Sequence, residues 1–206
     1  EELDTEPCIY GVRRPVRTWN PFLINTQHVW LIIQDSFRTK NILDKIKVWF
    51  MPTGWRPKDM EEKYPVLYLK ADDVYHFERY NPTYSIGFQI WSQVHLTIMF
   101  VFMGFLFFNI KNLQANNQYI YYGLFLLFSI FSYTTLMDKK ILGVITDCIN
   151  LLIVSYIVFS NQDWFGINQF INNGHFLVLS FFVLETIAAI YFYFTEFKKE
   201  MKVQII

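Results

Sequence analysis

The sequence predicts an all-α integral membrane protein. Four transmembrane helices form a bundle, and a cytoplasmic or interfacial segment with two amphipathic helices precedes it. Three observations carry that prediction. Four apolar runs of bilayer-crossing length lie in the second half, at 88–110, 119–137, 141–160 and 174–194. The charges are unevenly divided, with 12 Asp/Glu and 12 Lys/Arg in residues 1–83 but only 6 of each in 84–206. Of 206 residues, 22 are Phe, 13 Tyr and 6 Trp, too aromatic and too sparsely charged for a disordered chain.

In the first segment, Asn20-Pro21 is a helix start, with Asn as N-cap and Pro at the first position. Phe22, Val29, Ile33 and Phe37 then form one stripe beside Leu23 and Trp30, while Asn25, Gln27, Gln34 and Asp35 form the polar side. A second helix, over 41–51, sets Ile42, Leu43, Ile46, Trp49 and Phe50 against Asp44, Lys45 and Lys47. Pro52, Gly54 and Pro57 end it. Trp19, Trp30, Trp49 and Trp55 are candidate interface anchors, because Trp gathers where headgroups meet hydrocarbon. Packing of the same faces on a soluble partner domain explains them equally well. Arg13, Arg14 and Arg17 read as a solvated turn that lipid phosphates would also suit. His28, on the flank beside Trp30, reads as a packed or solvated residue.

In the second half, a spanning helix needs about 20 apolar residues. The runs at 88–110 and 119–137 contain no Asp, Glu, Lys or Arg; the third contains Asp147 and the fourth Glu185. If the four alternate in direction, Lys111 stands alone on one side, against Lys139, Lys140, Lys198, Lys199 and Lys202 on the other. That bias puts the second side, and with it residues 1–83 and both ends of the segment, in the cytoplasm. Cys8 and Cys148 are then expected as free thiols. The opening Glu-Glu-Leu-Asp-Thr-Glu-Pro, without an initiator Met, is expected to continue from an upstream region.

Net charge is zero, which excludes nucleic-acid binding through bulk positive charge. The four histidines, His28, His76, His95 and His175, show no metal-ligand spacing. There is no phosphate loop, GxGxxG or nucleophile elbow. No catalytic, cofactor-binding or metal-binding residue is assigned in this chain. An ionised carboxylate at a helix centre costs roughly 2.5–3.5 kcal/mol on insertion scales, so Asp147 and Glu185 are the informative residues. At about 1.5 Å rise per residue, His95 lies roughly 10 Å in from the cytoplasmic end of its helix, Asp147 about 9 Å and Glu185 about 13–14 Å. Asn150 falls at the depth of Glu185. These groups make either a polar pocket for substrate or proton, or separate satisfied side chains.

The stretch Tyr10-Gly11-Val12-Arg13-Arg14-Pro15-Val16-Arg17-Thr18-Trp19-Asn20-Pro21 resembles the segment following the last histidine box in the fatty acid hydroxylase/sterol desaturase superfamily. The alkylglycerol monooxygenase-like branch is the most similar. Val48-Trp49-Phe50-Met51-Pro52-Thr53-Gly54-Trp55-Arg56-Pro57 resembles that branch's continuation, and several membrane helices follow there too. The resemblance implies a membrane di-iron oxygenase acting on lipid. Its histidine boxes hold two irons on the cytoplasmic side, and its alkylglycerol branch takes electrons from a reduced pterin. None of those boxes stands in this sequence. The chain is therefore expected to be the membrane half that supports a catalytic region preceding Glu1. Its expected partners are that region and membrane lipid. A non-enzymatic scaffold or small transporter module, with Asp147 and Glu185 lining a polar path, is the alternative.

Overall fold

A computed structural model describes residues 16–52, 54–66, 80–114 and 117–198. Cys8, residues 10–15 of the first motif, Thr53, His76, Lys199 and Lys202 lie outside the described residues. All regular structure among those described is helical, and the chain divides into two compact units, Glu1–Asn81 and Pro82–Ile206.

The first unit contains α1 (Pro21–Arg38), α2 (Ile42–Lys47) and α3 (Lys58–Lys63). Asn20 caps α1 as its sequence demands, its side-chain oxygen accepting from the Phe22 and Leu23 backbone N–H groups at 2.9 and 3.2 Å. Asn41 does the same for α2 through Leu43 at 3.1 Å. Helix α2 is shorter than the 41–51 pattern predicts and gives way to turns ahead of Pro52. Lys45 Nζ reaches back to the Ser36 and Phe37 carbonyls at 3.2 and 3.0 Å, which satisfies acceptors left open at the end of α1. The Lys40 backbone N–H, and after it the Thr39 hydroxyl, hold the Asp59 carboxyl below its ordinary pKa against the opposing effect of partial burial.

The helical wheel puts Asp35 on the polar side of α1, but the structure turns it inward. Asp35 is 2% exposed, whereas Trp30 and Phe37 are 60% and 79% exposed. The cause is Arg56, whose Nε and Nη2 donate to the two Asp35 carboxylate oxygens at 2.6 and 2.8 Å. Its Nη1 donates to the Tyr64 carbonyl at 2.7 Å. A paired fork of this kind, nearly dry, fixes α1 against the segment that follows α2. Asp35→Ala should destabilise the first unit by about 3–5 kcal/mol, because it strips the carboxylate from a buried guanidinium. Hydrogen exchange should show faster exchange of the α1–α3 amides with the bundle unchanged. Arg56→Lys should recover only some of the protection, since an ammonium cannot make the bidentate contact.

The second unit contains α4 (Ile86–Phe108), α5 (Ile110–Gln114), α6 (Gln118–Met137), α7 (Ile141–Asn161) and α8 (Gly174–Phe192), which continues through a wider π-type turn to Phe197. Helices α4, α6, α7 and extended α8 are each long and apolar enough to cross a membrane, and the protein is an integral membrane protein. Helix α4 starts earlier than 88–110 predicts, behind a Ser85 cap that accepts from Phe88 N at 3.1 Å. It breaks at Asn109. Helix α7 packs on α6 and α8, and α4 packs on the same two, so the four close into a bundle.

Large apolar side chains face outward, among them Val101, Phe107, Leu152, Leu177 and Leu184, all more than half exposed. In water such a surface would aggregate; in hydrocarbon it is the expected exterior. The α6–α7 turn is held tight by Gly143, where a Cβ would stand 2.5 Å from the Leu136 backbone nitrogen. At the same end Tyr84 Oη donates to the Met137 carbonyl at 2.7 Å and Ser85 Oγ to Glu196 at 2.9 Å. The start of α4, the α6–α7 turn and the end of α8 are thereby tied together.

Candidate functional site

Two apolar clusters fill the bundle, with a polar layer between them. One contains Phe88, Leu136, Val144, Ala189 and Phe192; the other contains Met99, Phe102, Leu126, Val154 and Phe182. Along every spanning helix the polar residues fall between the two: His95 on α4, Ser129 and Ser132 on α6, Asp147 and Asn150 on α7, Glu185 and Thr186 on α8. All are buried.

Of His95, Asp147 and Glu185, which the depths place in one layer, His95 and Glu185 are brought into contact. His95 Nδ1 lies 2.6 Å from Glu185 Oε1, with both side chains almost fully enclosed. This is a close contact between imidazole and carboxyl without the direction of a hydrogen bond. The imidazole stacks on Tyr133, with ring centres 4.4 Å apart and planes within 17°. Tyr133 Oη is locked to Ser92 Oγ at 2.6 Å. The His95 ring is thus clamped by a face contact and an edge contact at once.

Asp147 adjoins this pair without bonding to it. It interacts electrostatically with Glu185, and its Oδ1 lies 3.4 Å from Ser132 Oγ. The Ser132 hydroxyl also bonds the Gly143 carbonyl at 2.9 Å. Asn150 donates to Ser129 Oγ at 2.8 Å, and Ser129 passes a bond to the Phe125 carbonyl at 3.0 Å. Four polar atoms of the layer, His95 Nδ1 and Nε2, Asn150 Oδ1 and Glu185 Oε2, have no hydrogen-bond partner among the described residues.

Ser129, Ser132, Tyr133 and Thr186 belong to this layer and were not legible as site residues. Their signal was present for two of them: Ser129 and Ser132 recur at helical spacing in an otherwise apolar run. The remaining candidates lie elsewhere. His28 is exposed on α1, and His175 is a buried structural residue with Nδ1 2.8 Å from Asn168 Oδ1. Trp19, Trp30 and Trp49 are 43%, 60% and 50% exposed, and Trp55 is half-buried. Trp49 Nε1 donates to Ser36 Oγ at 3.2 Å. Cys148 has no disulfide partner among the described residues.

No protein family, curated protein or solved structure matches this chain. Among the described residues, no three His, Cys, Asp or Glu side chains come together so as to hold a metal ion. The side chains described do not fit a di-iron centre.

The layer makes opposite forecasts for its two acids. Glu185→Leu strands His95 Nδ1 in a closed site and should cost about 1–3 kcal/mol. The double variant with His95→Leu should regain some of that loss, because both polar groups then leave together. Asp147→Asn keeps an acceptor for Ser132 and takes an ionisable group out of an enclosed site, so stability should be equal or higher. Thermal unfolding of the detergent-solubilised protein reads all three.

Proposed function

We propose that this chain is the membrane-embedded C-terminal half of a lipid-oxidising di-iron protein resembling the alkylglycerol monooxygenase-like branch of the fatty acid hydroxylase/sterol desaturase superfamily. Its role in that reading is support. The bundle anchors the protein and offers lipid a route of approach, while the histidine boxes, the irons and any reduced-pterin site belong to another region of the same protein.

The observation that carries this reading is the Asp35–Arg56 fork. The first resembling segment ends in the Asn20-Pro21 start of α1; the second ends in Trp55-Arg56-Pro57. Arg56 of the second is bonded to Asp35 of the helix that the first launches. The second motif is thereby joined to the helix that follows the first, an arrangement that suits a supporting wall beside a catalytic region. The exposed apolar residues of α1, α2 and the turn after α2, with Trp30 and Trp49 among them, suit the headgroup layer of a bilayer. Lys139, Lys140 and Lys198 at one end of the bundle favour the cytoplasm for that end.

Iron content decides between this reading and its competitors. The full-length protein, purified from cells, should carry about two irons per chain, whereas residues 1–206 expressed alone should carry none. Iron retained by the segment alone overturns the assignment, as does a full-length protein free of iron.

The unpartnered atoms of the polar layer favour a second reading, a membrane module in which Asp147 and Glu185 line a polar path. The two readings separate on the Asp147→Asn/Glu185→Gln variant of the full-length protein. Lipid oxidation within twofold of the unaltered protein assigns the layer to bundle packing. A loss of tenfold or more at unchanged stability assigns it a functional path.

A further inference from the structure

At the end of the bundle opposite the α6–α7 turn lies a cavity of about 660 Å³, bounded by the ends of α4 and α7, by α5, by the start of α6 and by the 163–169 loop. Small-molecule sites commonly span ~300–1,000 Å³. Its polar lining is mostly amide: Asn109, Asn112, Gln118, Asn161 and Gln169, joined by Tyr121.

Some of that lining is committed to the fold. Asn109, 3% exposed, donates to the Phe165 carbonyl at 3.0 Å and accepts from Asn112 Nδ2 at 2.7 Å. The side chains of Gln118, Asn161 and Gln169 form no hydrogen bond among the described residues, so their amide donors and acceptors stand available.

Charge narrows the ligand. Asp163 is the one acid among the lining residues described, and no Lys or Arg accompanies it. Its carboxylate is already engaged by the backbone N–H groups of Trp164, Gly166 and Asn168 at 2.8, 2.8 and 3.1 Å. An anion would find no cation, and a cation no free carboxylate. A purely apolar ligand would bury the amides without partners, at about 1–3 kcal/mol per group.

A neutral molecule with several hydroxyls and apolar C–H faces fits what remains. Hydroxyls both donate and accept, as amides do, and Tyr121 and Phe165 present aromatic surface to C–H faces. Phe107 and Phe108, 68% and 92% exposed, stand immediately before Asn109. Hydrocarbon-facing surface therefore adjoins the cavity where the helices end. We infer that this cavity binds an uncharged sugar unit, presented as a glycolipid headgroup or as free sugar. This assignment is independent of the lipid-oxidation reading.

The test uses the full chain in phosphatidylcholine nanodiscs, with lipid retention measured by native mass spectrometry. Glucosylceramide should be retained at least tenfold over phosphatidylserine. The Asn161→Leu/Gln169→Leu variant, altered at two exposed side chains that bond to nothing among the described residues, should lose that preference at unchanged melting temperature. Tyr121→Ala, at a site 64% exposed, should weaken it independently. Competition by methyl β-glucoside identifies sugar itself as the ligand; retention without competition identifies the lipid-linked headgroup. Equal retention of the two lipids, or a preference that survives in both variants, overturns the inference.

Discussion

Hydrocarbon leaves a polar side chain one place to go, and that constraint fixes the rotation of every spanning helix here. His95, Ser129, Ser132, Asp147, Asn150, Glu185 and Thr186 are all turned into the bundle. The hydrophobic effect, which orders a soluble core, supplies no drive between helices already immersed in lipid. Close packing and polar contacts must supply it. Leu136 lies against Gly143 where no Cβ fits, Ser132 bonds the Gly143 carbonyl, Asn150 bonds Ser129, and His95 meets Glu185. The layer that makes insertion expensive also sets how the helices mate.

The first unit is organised differently. Among its described residues an ion pair, Asp35 with Arg56, is buried, while much large apolar surface is left outside: Phe37, Ile42, Leu43 and Phe50 are each 64% exposed or more. An exposed apolar surface of that size suits a partner or a membrane interface. A basic row, Arg38, Lys40, Lys45 and Lys47, runs through the same stretch. Apolar aromatics bordered by lysine and arginine are the composition of a surface that meets both lipid tails and lipid phosphates.

Segment length and composition were enough to read the four spans and the α1 start from the sequence, because both signals are local. A run of 19 to 23 residues without charge admits few alternatives, and Asn20-Pro21 is a cap whose chemistry lies within three residues. Rise per residue also placed His95, Asp147 and Glu185 in one layer. Distance along a helix says nothing about azimuth, so the stacking of His95 on Tyr133 and the separate position of Asp147 were beyond reach. Asp35 was misplaced for a related reason. Its wheel position is polar, and the guanidinium that draws it inward comes from a residue in another element, Arg56. The bond from Asn109, where α4 ends, to the Phe165 carbonyl likewise joins residues far apart in sequence and could not be read locally.

The two apolar clusters decide what the polar layer can do. Phe88, Leu136 and Phe192 close it toward one end, and Met99, Phe102 and Phe182 toward the other. Any proton or solute entering the layer has to push through either the first set or the second, and the unpartnered atoms would be satisfied only once water followed. Helix α4 is the least enclosed of the four spanning helices, with about a tenth of its spanning window buried against more than a third in each of the other three. It carries His95, so the contact between His95 and Glu185 ties the least enclosed helix to α8 through the middle of the bundle.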